Sequence, residues 1–182
     1  MKARRQFLLN ASATAIGFAG LRSFSAFADK KDSQAITGYG DLQSDPEDVI
    51  DLPKGFSYKI IGKAGEKMDD GLNLPGAPDG MATFKGPDGL TLLVRNHEMN
   101  AGSGAKGGAF GSGNKNLTDE LRKSMYDSGK AAPALGGTST VVYDTKKQKV
   151  VRQFLSLAGT IRNCAGGPTP WDSWVTCEET VE

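Results

Sequence analysis

The run Arg162-Asn163-Cys164-Ala165-Gly166-Gly167-Pro168-Thr169-Pro170-Trp171, continuing through Asp172-Ser173-Trp174-Val175-Thr176-Cys177 into Glu178-Glu179, has the composition of a site. A thiol lies in a Gly/Pro-rich stretch that reads as a bend, where special residues rather than a ladder set the backbone. A strand over residues 173–179 then delivers two carboxylates to its far end. One thiolate beside hard carboxylate oxygens suits a ferric or mixed-metal centre. A structural zinc would draw four ligands from Cys and His, and the chain offers two Cys and one His in no zinc spacing. The competing reading is a Cys164–Cys177 disulfide with both glutamates solvated, since two cysteines in an exported chain invite pairing.

Short strands and turns must position these groups. Gly is frequent at 24 residues, and turn sequences such as Pro87-Asp88-Gly89 and Gly136-Gly137 punctuate the chain. Strand signals fall at residues 56–61, 81–84, 90–95, 138–144 and 149–156; the second and third form one β-hairpin, the fourth and fifth another. Residues 101–116 are Gly/Ser-rich and aperiodic, reading as a flexible insertion, and they lack the spacing of a phosphate-cradling loop. Residues 118–125 read as one short helix with Thr118 as N-cap, acids first and bases later. The acidic turn at residues 41–51 offers hard oxygens for calcium, but a solvated surface turn is the favoured reading.

An internal echo runs through the strands. Pro78-Asp79-Gly80 leads by a hairpin to Arg95-Asn96-His97-Glu98, and Asn163-Cys164-Ala165-Gly166-Gly167 leads to Thr176-Cys177-Glu178-Glu179. Two such units side by side about an axis would aim their terminal carboxylates at a common centre, as a β-propeller does. His97, the sole histidine, reads as a hydrogen-bonding partner rather than a ligand, and Trp171 and Trp174 as core packing.

Compartment and partners follow from the first residues and the charge. Arg4-Arg5-Gln6-Phe7-Leu8, a weakly apolar run and Ala26-Phe27-Ala28 read as a twin-arginine (Tat) export signal over residues 1–28, cleaved after Ala28. The run is too polar for a stable membrane anchor. A polar lead-in over residues 29–50 and one domain over residues 51–182 follow. A net charge of +1 with interspersed signs indicates neither nucleic-acid nor membrane binding.

The ordered blocks Asp51-Leu52-Pro53-Lys54-Gly55-Phe56, Met68-Asp69-Asp70-Gly71, Pro75-Gly76-Ala77-Pro78-Asp79-Gly80-Met81, Arg95-Asn96-His97-Glu98, Gly136-Gly137-Thr138 and residues 155–179, behind the twin arginine, resemble the PhoX family of exported alkaline phosphatases. That resemblance implies an all-β, six-bladed propeller hydrolysing small-molecule phosphomonoesters at Fe(3+) and Ca(2+) ions, in a monomer exported by the Tat machinery to the periplasm or beyond. It places Cys164 and Glu179 on iron, Glu98 on iron or calcium, and Glu178 and Asp79 as further ligands. Arg162 and Arg95 are the candidates for a bidentate phosphate contact, with a structural ion pair as the alternative for either. The disulfide recedes, leaving Cys177 as a buried thiol. Blades need roughly forty residues each, so the expected fold is a partial propeller, its N-terminal blades with one short helix inserted. On that count the chain is expected to be a fragment with an incomplete site. A non-catalytic, calcium-stabilised propeller module of the envelope is the competing function.

Overall fold

A computed structural model describes residues 38–100, 107–129 and 132–180. The expected export signal, residues 1–28, lies outside the described residues. The chain divides between Tyr58 and Lys59 into two compact units.

In the first unit, β1 (Leu42–Gln43) and β2 (Leu52–Pro53) pair antiparallel. The loop between them folds around Asp45. Its carboxylate accepts from the amides of Glu47, Val49 and Ile50 at 3.1, 3.0 and 3.2 Å and from the Tyr58 hydroxyl at 2.7 Å. The Tyr58 hydrogen bond chiefly, with these amides, holds the Asp45 carboxyl down at about 2. Its oxygens are taken up by these donors within the turn. The expected strand at residues 56–61 does not form. Phe56, Tyr58 and Ile60 are exposed, so alternation there finds no neighbouring strand to pair with or core to bury against.

The second unit is built on a four-stranded antiparallel sheet in the order β3 (Pro78–Lys85), β4 (Thr91–His97), β5 (Gly136–Asp144), β6 (Lys149–Thr160). Both hairpins expected from the sequence are present. The first turns through Pro87–Gly89 with Asp88 left-handed at φ 53°. The second turns on Asp144, whose carboxylate accepts from the amides of Lys146 and Lys147. Inserted between β4 and β5 is the expected helix, α1 (Asp119–Ser124), with Thr118 Oγ1 accepting from Leu121 N at 3.3 Å. The described residues are thus mostly β, in antiparallel sheets, with one helix of minimal length. No helix among them is long and apolar enough to cross a membrane.

The core consists of Met68, Leu72, Leu74, Met99, Ala109, Phe110 and Leu135, with Leu121 of α1, Met125 just after it and Leu155 of β6 packed against it. Ala109 and Phe110 belong to the segment expected to be a flexible insertion; its described part instead turns inward. Burying Phe110 contributes about 2–3 kcal/mol, which holds the Gly-rich chain down. The outer strand β6 does not leave its edge bare: Asp69 and Asp70 carboxylates accept from the amides of Gln153 and Leu155, each at 2.7 Å.

After β6 come β7 (Asn163–Pro168) and β8 (Trp174–Glu178), an antiparallel hairpin with β7 against β3. Cys164 therefore sits in a strand, not in the bend expected from its glycines. Those glycines admit close neighbours. A Cβ on Gly166 would lie 2.3 Å from Val175 O and 2.5 Å from the Trp174 ring. Trp171 is 75% exposed, against the expectation of core packing, because it stands in the β7–β8 turn.

Candidate functional site: two carboxylates on one arginine

The echo seen in sequence is a structural repeat. Residues Ala77 and Arg162 precede β3 and β7, and both are left-handed, at φ 45° and 50°. Each then accepts, through its carbonyl, the amide of the glutamate that ends the hairpin: Glu98 N to Ala77 O at 2.8 Å, Glu179 N to Arg162 O at 3.0 Å. Between Pro78↔His97 and Met81↔Arg95 the first strand takes three steps against two, and between Asn163↔Glu178 and Gly166↔Thr176 the same bulge recurs. Asp79 and Cys164 thus hold equivalent positions beside the bulge, as do Glu98 and Glu179 after the second strand. The repeats are tied where Arg162 N donates to Met99 O at 3.0 Å.

The two terminal carboxylates come together. Arg162 Nη2 donates to Glu98 Oε1 at 3.3 Å and to Glu179 Oε2 at 2.5 Å. The three side chains are partly exposed, at 29% for Glu98, 41% for Arg162 and 48% for Glu179, so the cluster is accessible from solvent. A non-glycine residue held at positive φ costs about 1–2 kcal/mol and marks a site where surrounding structure dictates the backbone. At Arg162 that backbone also delivers the guanidinium to both acids.

The remaining expected site residues are placed as follows. Glu178 Oε1 accepts the Ile161 amide at 2.7 Å, bracing the turn that carries Arg162. Asp79 is exposed on β3, and Cys164 is half-buried on β7. Both cysteines are free thiols, and Cys177 is exposed rather than buried, because its face of β8 points away from the four-stranded sheet. Arg95 is buried, donating to Ser139 Oγ at 3.3 and 3.2 Å and to Gln153 Oε1 at 3.5 Å. Of the two arginines, only Arg162 stands with the carboxylates.

His97 is fully buried beside Arg95. Its Nδ1 lies 2.9 Å from Gly76 O, which can only accept, so Nδ1 carries the proton and Nε2 accepts from the Ser139 hydroxyl at 2.8 Å. Burial chiefly, and the Arg95 charge, push its pKa down to about 4, against the raising effect of the Gly76 hydrogen bond. The Ser139–His97 spacing is that of a nucleophile and base. Yet Ser139 is fully buried and its oxygen takes two Arg95 donors, so no substrate atom reaches it.

The family profile of alkaline phosphatase PhoX matches residues 37–182. The chain belongs to the PhoX family. No curated protein and no solved structure matches it significantly. PhoX members are in general exported, metal-dependent phosphatases with small-molecule substrates. The groups gathered here are carboxylates at equivalent ends of two repeats and a thiol beside one bulge, with a guanidinium standing as the cation between Glu98 and Glu179. In kind they fit a cation site. In number they fall short, since among the described residues no three His, Cys, Asp or Glu side chains converge to hold a metal ion.

One residue near this site carried no role in the sequence reading. Asn96, fully buried, joins the two repeats through its side chain. Its signal was an amide inside a strand, on the opposite face from its neighbours Arg95 and His97.

Proposed function

We propose that this chain serves a phosphomonoester hydrolase of the alkaline phosphatase type, exported by the Tat route to the periplasm or beyond, with its site at the ends of β4 and β8. The observation that carries the reading is the Glu98–Arg162–Glu179 cluster in a PhoX-family chain. Glu98, Glu179 and Cys164 are the candidates for ferric ion, Glu98 also for calcium, and Glu178 and Asp79 are further candidates; since no three of them converge among the described residues, each would need additional donors, and the ions, when bound, would offset negative charge on phosphate. The chain's own contribution is positional. Arg162, braced by Glu178 through Ile161 and by Met99, keeps both carboxylates at one point and carries a charge suited to a phosphate oxygen. Arg95 acts at one remove, holding Ser139 and through it the neutral His97 that precedes Glu98. The repeat of four-stranded sheet and following hairpin, with β3 beside β7, supports a propeller built from such units.

The full chain, purified with ferric and calcium ions supplied, should hydrolyse a chromogenic phosphomonoester and lose that turnover in Glu98→Gln and Glu179→Gln. Turnover indifferent to both substitutions overturns the assignment of the site. Calcium-dependent thermal stabilisation with a Cys164–Cys177 disulfide and no thiolate-to-ferric absorption band on adding ferric ion would instead identify the non-catalytic envelope module.

A further inference from the structure

Asn96 spends its whole hydrogen-bonding capacity on the β7–β8 hairpin. Nδ2 donates to Cys164 O at 3.3 Å and to Ala165 O at 3.0 Å, while Oδ1 accepts from Trp174 Nε1 and Thr176 Oγ1, both at 2.9 Å. The partners fix the amide's orientation, since carbonyls only accept and an indole only donates. In a regular strand successive carbonyls point to opposite sides. Here two successive carbonyls meet one amide, and they belong to the bulge between Asn163 and Gly166. Gly80 closes the other side: a Cβ there would lie 2.6 Å from Cys164 O and 3.4 Å from Asn96 Nδ2. The Cys164 backbone is therefore gripped from β3 and β4 together. Glu98 follows Asn96 by two residues on the same stretch of chain.

We propose that Asn96 is the positioning residue of Cys164: it pins the bulge from which the thiol projects and so sets its place relative to Glu98. The proposal rests on the reading of Cys164 as a site residue given above. Arg95 and His97, on either side of Asn96 in sequence, face Ser139 instead, so this role falls to Asn96 alone among the three.

The test uses the full chain carrying Cys177→Ser, so that Cys164 is the sole thiol, and measures its rate of reaction with a small disulfide reagent across pH. Asn96→Asp keeps an acceptor for Trp174 and Thr176 but sets an oxygen against the two carbonyls; it should raise the rate by about tenfold or more through local opening. Thr176→Val removes one bond to Asn96, and with it the acceptor of the Asn163 side chain at 2.8 Å, without touching the two carbonyls; it should raise the rate by clearly less than Asn96→Asp does. Should Asn96→Asp not fold, Gly80→Ala displaces the same carbonyl by contact and is expected to raise the rate likewise. Amide exchange across β4 and β5 reports the fold. An unchanged thiol rate in a folded Asn96→Asp or Gly80→Ala chain overturns the proposal, as does a rise matched by Thr176→Val. Phosphatase turnover on the same variants separates the two readings. A freed thiol with unchanged turnover upholds the hold of Asn96 and removes Cys164 from the proposed catalytic site.

Discussion

Removing the arginine from between its two acids gives a prediction whose size follows from the geometry. Glu98 Oε1 and Glu179 Oε2 share one nitrogen at 3.3 and 2.5 Å, so they are no more than about 6 Å apart. Two unit charges at that distance repel by about 0.7 kcal/mol in water and about 3 kcal/mol at an effective dielectric of 20. The partial exposure of all three side chains places the value near the lower figure. That repulsion is present with or without the arginine, which offsets it through two ion pairs of about 0.2–1 kcal/mol each. Arg162→Ala should therefore destabilise the chain by about 0.5–2 kcal/mol in low-salt urea unfolding, leaving the repulsion uncompensated. Arg162→Gly loses the same charges but relieves the left-handed backbone at φ 50°, so it should be about 1 kcal/mol more stable than the alanine variant. Calcium supplies a second arm, since a cation binding the released acids at ten times its dissociation constant returns about 1.4 kcal/mol. Its stabilisation should be larger in Arg162→Ala than in the native chain. An alanine variant as stable as the native chain, or a glycine variant no better than alanine, would falsify the account of Arg162 as a strained bridge.

Three further outcomes are expected. The folded pKa of His97, about 4, lies below the ordinary 6.5, so its contribution to stability is complete above about pH 6.5. It falls as the pH drops toward 4, by about 3 kcal/mol in all; Arg95, always charged, adds no pH dependence of its own. Urea unfolding from pH 7 to 4 should show this slope, and His97→Gln should flatten it. Asp69→Ala removes the charged acceptor from the Gln153 amide and should cost about 1–2 kcal/mol, with faster hydrogen exchange at that amide as the direct readout. Asp45→Ala should speed exchange at the amides of Glu47, Val49 and Ile50, and should bring the Tyr58 phenol, raised chiefly by its hydrogen bond to Asp45, back toward its ordinary range in an ultraviolet titration.

Local signals were legible where one short stretch decides the outcome. The two hairpins of the four-stranded sheet and the Thr118-capped helix need only turn residues and alternation, and they stand where the sequence put them. Reading failed where a distant partner decides. Residues 163–168 look like a bend because their glycines are poor strand formers, but Trp174 and Val175 of β8 approach Gly166 so closely that a larger residue would not fit there. Residues 56–61 alternate well and still form no strand, for want of a partner. At the site, Glu98 and Glu179 were legible as strand-end acids from the echo. That Arg162 would bridge them was not, because the bridge depends on a left-handed backbone at a residue that is not glycine.

The repeat explains why this one arginine matters. Where the first unit has Ala77, the second has Arg162, in the same left-handed conformation and with the same carbonyl bond to the following glutamate. The shared backbone accounts for two glutamates emerging at corresponding ends, and it would do so with alanine at both positions. The guanidinium is the asymmetric addition, and it turns two equivalent acids into one cluster. Asp79 against Cys164 is the second asymmetry at matched positions, a hard oxygen in one unit and a soft sulfur in the other. A symmetric pair of hairpins would present two like sites. With these two exchanges the same backbone presents a carboxylate beside one bulge and a thiol beside the other, while Arg162 joins the two terminal acids into one cluster.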